Sequence, residues 1–127
     1  MELDTPYLHL RIKDNLLVGT YPGNLHIDLD IAHAIVRTRL SFTGGRNMPS
    51  IIMSQGVVSM DKPAREYLAS EEGTLGLSAS AIVVSSPFSR FLGNFFLRVN
   101  KPRKMPVKIF TDRLRAEEWL QQFIQQD

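Results

Sequence analysis

Polar and apolar residues alternate strictly from Tyr7 to Lys13. Leu8, Leu10 and Ile12 fall on one face, and Tyr7, His9, Arg11 and Lys13 on the other. A period of two is the mark of a half-exposed β-strand. Asp14-Asn15 is a turn pair and Leu16 to Tyr21 returns as a second strand, so the pattern predicts an antiparallel hairpin. Pro22-Gly23-Asn24 breaks the chain, and the period then lengthens. Ile31, Ala34, Ile35 and Thr38 form a helical stripe that Val36 and Leu40 widen. Asp28 or Asp30 caps this helix, and Gly44-Gly45 stops it.

Met48-Pro49 leads into a short buried strand, Ser50 to Ser54, and Gln55 to Met60 reads as a loop. Asp61 is an N-cap, with Pro63 in the first turn of a helix running to Leu68 or Ala69. Leu77 to Val84 is small, β-branched and uncharged, as a central strand should be. Ser85-Ser86-Pro87 starts a third helix reaching about Asn100, on which Phe88, Phe91, Leu92, Phe95, Phe96 and Val99 share one face. After the basic loop Lys101-Pro102-Arg103-Lys104 comes the last strand, Val107 to Phe110. Thr111 or Asp112 caps a final helix whose buried stripe is Ala116, Trp119, Leu120, Phe123 and Ile124. The order β-β-α-β-α-β-α-β-α predicts an α/β fold. It has a five-stranded mixed sheet, with one antiparallel edge strand and the others mainly parallel, and four helices.

Composition narrows this little. A chain of 127 residues is expected to be one domain, 1–127. It can bury roughly two thirds of its unfolded surface without metal or disulfide. The absence of cysteine excludes disulfides, thiol catalysis and cysteine-ligated metal centres. Charge changes the picture more. The net charge is only +2, yet Gly73 to Thr111 holds no Asp or Glu while carrying Arg90, Arg98, Lys101, Arg103, Lys104 and Lys108. Basicity confined to one third of the chain suggests an anionic partner or surface; a parallel-sheet core followed by one solvated basic loop is the plainer explanation. The start, Met1-Glu2-Leu3-Asp4, is acidic and unlike a signal peptide, and no apolar run spans a bilayer, so the expected location is cytoplasmic.

The likeness to known proteins rests on residues along nearly the whole chain. They are the opening hairpin, Gly44-Gly45 before Met48-Pro49, Ala64-Arg65-Glu66-Tyr67, Ala79 to Ser86, and Ser89-Arg90-Phe91-Leu92-Gly93-Asn94-Phe95-Phe96. Lys101-Pro102, Pro106 to Asp112 and Trp119-Leu120 complete the set. Together they resemble the STAS or SpoIIAA-like fold of anti-sigma-factor antagonists, and a group of small uncharacterised bacterial proteins with that fold. The antagonists carry an Asp-Ser-Ser-Gly-type turn whose serine the partner kinase phosphorylates. The matching turn here is Ser59-Met60-Asp61-Lys62-Pro63, without a serine pair or glycine. Ser59 and Asp61 are the switch-loop equivalents, and Asp61 is most simply a cap.

Candidate chemistry is sparse. The acidic pairs Glu71-Glu72 and Glu117-Glu118 are adjacent, and adjacent helical residues do not face each other. His26 and His33 lack the i, i+4 spacing of a helical metal pair, and no histidine is expected near the parallel strand ends, so neither metal, cofactor nor catalytic residue is assigned. Ser54, Gln55, Ser85, Ser86, Lys108 and Thr111 fall around the carboxyl ends of parallel strands, where open α/β sheets hold ligands, and form a candidate anion site. Phe88, Arg90, Phe95, Phe96, Arg98 and Lys101 are interface candidates on the aromatic helix. The expected function is a non-enzymatic regulatory or interaction module that binds a protein partner or forms a homodimer. The alternative is a lipid- or small-anion-binding protein using helix 87–100 and the strand-end crevice. Nucleic acid ranks last, because no aromatic residue interleaves with the basic loop.

Overall fold

The computed structural model describes residues 1–84 and 105–124. Its main sheet has six strands: β1 (Glu2–Asp4), β2 (His9–Lys13), β3 (Leu16–Thr20), β5 (Met48–Met53), β7 (Leu77–Val83) and β8 (Val107–Phe110), in the order β1-β2-β3-β5-β7-β8. A second, two-stranded sheet pairs β4 (Leu25–Ile27) with β6 (Val57–Met60) in parallel. Three α-helices are described: α1 (Leu29–Thr43), α2 (Lys62–Leu68) and α3 (Arg113–Leu120), the last followed by a 3-10 turn, Gln121–Phe123.

The hairpin forms as the alternation requires. Asp14 and Asn15 both adopt positive φ, 54° and 63°, and join Lys13 to its partner Leu16. Positive φ at both loop residues gives the twist that a two-residue hairpin needs. β2 is antiparallel to both neighbours, whereas β3, β5, β7 and β8 run parallel.

This corrects the five-stranded expectation. β1 is the extra strand, and it displaces β2 from the edge. The loop expected over Gln55 to Met60 contains β6, which with β4 forms the small second sheet. β1, β4 and β6 show too little alternation to be read; the neighbouring strand's backbone specifies them instead. Of the four expected helices, three are described; the fourth, over 87–100, lies outside the described residues.

The caps follow the side-chain chemistry. Asp28 Oδ1 accepts from Ile31 N–H (2.8 Å), Asp61 Oδ1 from Ala64 N–H (3.0 Å), and Asp112 Oδ1 from Leu114 N–H (3.0 Å). Each cap is worth about 1 kcal/mol. Gly44 closes α1 in the left-handed conformation at φ 66°, which costs glycine nothing.

Two cores flank the sheet. On one face Leu8, Leu10 and Leu17 pack with Ala32 and Ile35 of α1, Ala64 of α2, and Leu25, Ile27 and Val57 of the small sheet. On the other, Leu16, Val18, Ile51, Ala81 and Val83 pack with Ala116 and Leu120 of α3, edged by Trp119 and Phe123. Leu17, Ile51 and Leu120 are fully buried, each contributing roughly 1.5–3 kcal/mol.

The buried stripe of α1 differs from the one the periodicity gives. It runs Ala32, Ile35, Val36, Arg39 and Thr43, so it is rotated and contains a charge. Arg39 is 6% exposed; its Nη2 donates to the carbonyls of Gly73 (3.1 Å) and Leu75 (2.7 Å), while its Nε finds no acceptor. Burial pushes the Arg39 guanidinium below its ordinary value, although nearby Tyr21 and Tyr67 act against that. Those two carbonyls are what make a buried arginine tolerable here.

Candidate functional site

The small sheet sits where the chain leaves β3 and β5. Tyr21 N–H donates to the Met53 carbonyl (3.1 Å), and Leu25 N–H to the Gly56 carbonyl (3.0 Å). Gly56 permits this approach, since a Cβ there would fall on the Pro22 carbonyl. β4 and β6 continue to Ile27 and Met60, and Asp61 N–H donates to the Ile27 carbonyl (3.1 Å). Asp28 and Asp61, the next residues in line, then cap α1 and α2. Two helices therefore start side by side from one parallel strand pair.

A bulge gives this surface its chemistry. Leu25 pairs with Val57, but His26 pairs with Ser59, so Val58 is the extra residue. The extra residue re-aims the next side chain. His26 Nδ1 and Ser59 Oγ consequently share a hydrogen bond of 2.6 Å across 33 residues of sequence. The bond is solvent-facing, with His26 exposed and Ser59 half-buried. Val58 is 41% exposed, and Leu29, which opens α1, 37%. Polar and apolar groups are thus presented together at the helix starts.

The expectation that no histidine lies near the parallel strand ends left β4 out of account: His26 lies within that short strand, which pairs in parallel with β6. Missing β4 and β6 hid it. Ser59, singled out as a switch-loop equivalent, does lie before α2, and Asp61 is the α2 cap.

The other sequence-selected residues are more dispersed. Ser54 follows β5, and its hydroxyl donates to the Val83 carbonyl (2.9 Å), the same oxygen that takes the Ser54 N–H (3.1 Å). Gln55 is exposed in the turn after it, and Thr111 is exposed before α3. Lys108 is exposed on the outer strand, with Nζ 5.5 Å from the Phe110 ring centre. Ser85, Ser86, Phe88, Arg90, Phe95, Phe96, Arg98 and Lys101 lie outside the described residues. Among the described residues no group of three or more histidines and acids is placed to hold a metal ion, and no helix is long and apolar enough to cross a membrane.

A second polar cluster lies where α1 meets α2. The His33 and Tyr67 rings stack at 4.0 Å and 17°, and the Tyr67 hydroxyl donates to Glu72 Oε1 (3.2 Å). Burial and the Glu72 carboxylate hold the Tyr67 phenol above its ordinary value, and burial does the same to Tyr21. No sequence spacing pointed to this cluster, because its members come from different elements.

Comparison with known proteins agrees with this architecture. No curated protein matches the chain. Its structure is similar to the crystal structure of an uncharacterised protein of the DUF3478 family with a SpoIIAA-like fold, from Shewanella loihica PV-4. The TM-score is 0.62 at 13% sequence identity, over 94% of this chain and 98% of that one, so the fold is SpoIIAA-like. The family model for a domain of unknown function, DUF7793, matches residues 10–124, and the chain belongs to that family.

Proposed function

We propose that this protein is a non-enzymatic regulatory or interaction module that binds a protein partner through the surface around His26 and Ser59. The observation that carries the reading is the bulge-directed His26–Ser59 hydrogen bond, presented to solvent next to exposed Val58, with exposed Leu29 opening α1 just beyond β4. Mixed polar and apolar groups on a rigid strand pair make a protein-recognition surface. Catalysis fits less well. Among the described residues His26 meets no carboxylate that would orient it as a base.

The test uses a photo-crosslinking side chain at position 58 and, as control, at position 75, where Leu75 is similarly exposed at 42%. In cells that express the chain natively, position 58 should yield one discrete crosslinked protein and position 75 none. Ser59→Asp or His26→Ala should remove it. Equal crosslinking at both positions, or none at 58, overturns the reading.

A second reading, a lipid- or small-anion-binding protein, is favoured by exposed Lys108 on the outer strand and by the basic composition of 73–111. Native mass spectrometry decides it. A bound mass of a few hundred daltons (on the order of one lipid) that is lost on denaturation supports it, and its headgroup class should be anionic. A clean apo mass that stays unchanged after incubation with anionic lipid removes it.

A further inference from the structure

Among the described residues the main sheet ends in β1, and the ladder leaves half of the β1 backbone unused. Ile12 N–H donates to the Met1 carbonyl (3.1 Å), and Thr5 N–H to the Leu8 carbonyl (3.1 Å). Hydrogen-bonded positions alternate along an antiparallel pair. With Leu3 opposite Leu10, the residues Met1, Leu3 and Thr5 turn their backbone groups toward β2. Glu2 and Asp4 therefore turn theirs outward.

The side chains divide the same way. Glu2 and Asp4 are 62% and 83% exposed and share one face with His9, whose ring nitrogens lie 2.9 Å from Glu2 Oε2 and 3.4 Å from Asp4 Oδ1. Leu3 points to the other face. There it lines an open groove of about 360 Å³ with Thr5, Arg37, Thr38, Ser41 and Phe42.

We infer that this edge is a docking site for an extended peptide strand of basic–apolar–basic alternation. Such a strand pairs with the outward N–H and C=O groups of Glu2 and Asp4, and adds a seventh strand to the sheet. Its basic side chains stand opposite the two carboxylates, and its apolar residue sits beside Leu3 over the groove. Charge decides between occupants. A second copy of this chain, pairing antiparallel about Leu3, would set Glu2 opposite Asp4 twice, and like charges directly opposite destabilise a ladder. Arg11 and His9 stand opposite Glu2 and Asp4 on β2, but the two carboxylates hold the rim, where they disfavour a second copy and match a basic strand. It belongs to a different sheet from His26 and Ser59, so it stands apart from the function proposed above.

The test uses the full chain, an alternating lysine–leucine pentapeptide and its glutamate–leucine counterpart, with amide hydrogen exchange read by NMR. The lysine peptide should slow exchange at the Glu2 and Asp4 amides; the acidic peptide should not. Glu2→Gln with Asp4→Asn should weaken binding roughly five- to tenfold, the loss of two cross-strand charge pairs. Glu2→Lys with Asp4→Lys should reverse the peptide preference. Glu2→Pro deletes an outward N–H without touching the β2 ladder, and should weaken binding while the Ile12 amide stays protected. The inference is overturned if millimolar lysine peptide protects neither amide or if both peptides protect equally. It also fails if the peptide-free protein gains protection there as its own concentration rises.

Discussion

Arg39 reaches from the middle of the buried α1 stripe to the carbonyl of Leu75, 2.7 Å from its Nη2. The same nitrogen holds the Gly73 carbonyl, so one side chain ties α1 to the connection between α2 and β7. Arg39→Ala should lower stability by about 2–4 kcal/mol, from an emptied site and two abandoned carbonyls. Arg39→Met keeps most of the volume and removes the buried charge, and should cost about 1–2 kcal/mol. Urea midpoints at constant slope would rank the two. A midpoint unchanged in Arg39→Ala would show that the contact carries nothing.

Gly73 is fixed by that same connection. A Cβ there would fall on the Tyr67 carbonyl oxygen and lie 2.8 Å from the Leu68 Cα. Gly73→Ala should cost about 2 kcal/mol or more, because backbone must move. Gly23 has nothing within 4 Å and no positive φ, so Gly23→Ala should change stability little or raise it by about 0.4–1 kcal/mol. Thermal melts should show a clear loss for Gly73→Ala and none for Gly23→Ala.

The His26–Ser59 bond lies in solvent, and should therefore matter little to stability. A double-mutant cycle with His26→Ala and Ser59→Ala should give a coupling of about 1 kcal/mol or less. Near-native melting with lost crosslinking at position 58 separates a recognition role from a folding role. A coupling of several kcal/mol would make the pair structural.

Alkaline stability carries the signature of two phenols. Tyr21 and Tyr67 are held above the ordinary tyrosine value, Tyr21 by burial and Tyr67 by burial and the neighbouring Glu72 carboxylate. The unfolded chain gives up these protons first, at about pH 10. The stabilising contribution is thus complete below about pH 10 and is lost as pH rises through the higher folded values. Tyr67→Phe should flatten that decline and leave the slope below pH 9 unchanged. An identical alkaline slope in Tyr67→Phe and the parent would assign the effect elsewhere.

Periodicity made legible the elements long enough to repeat it. β2, β3, β5, β7, β8 and three helices could be placed from spacing and caps alone, and so could the stripe of α3. β1, β4 and β6 could not. Leu25-His26-Ile27 is too short to show a period, and it is a strand because Val57 to Met60 lies beside it. The candidate site depended on that unread pairing. His26 and Ser59 are polar residues that look like ordinary surface until a bulge brings them to 2.6 Å. Arg39 was hidden for the opposite reason, since its charge masked a buried position whose acceptors are distant backbone carbonyls. Ser59 and Asp61 were found through family likeness and cap chemistry, which survive without knowledge of the neighbouring strand.

One row of the sheet runs Ile12, Leu17, Ser50, Ser80 and Val107, each paired with the next. At its centre Ser50 Oγ donates to Ser80 Oγ (3.2 Å) inside the core. After the hairpin, every step along that row closes a loop of some thirty residues, so assembly is governed by distant encounters and should take milliseconds or longer. During synthesis β7 waits with an open flank until Val107 to Phe110 have left the ribosome. Its run Ala79-Ser80-Ala81-Ile82-Val83 is uncharged and rich in strand formers, and is the stretch through which a half-made chain would stick to its neighbours. The order of strands thus assigns the last one a duty beyond packing: it seals the nascent protein.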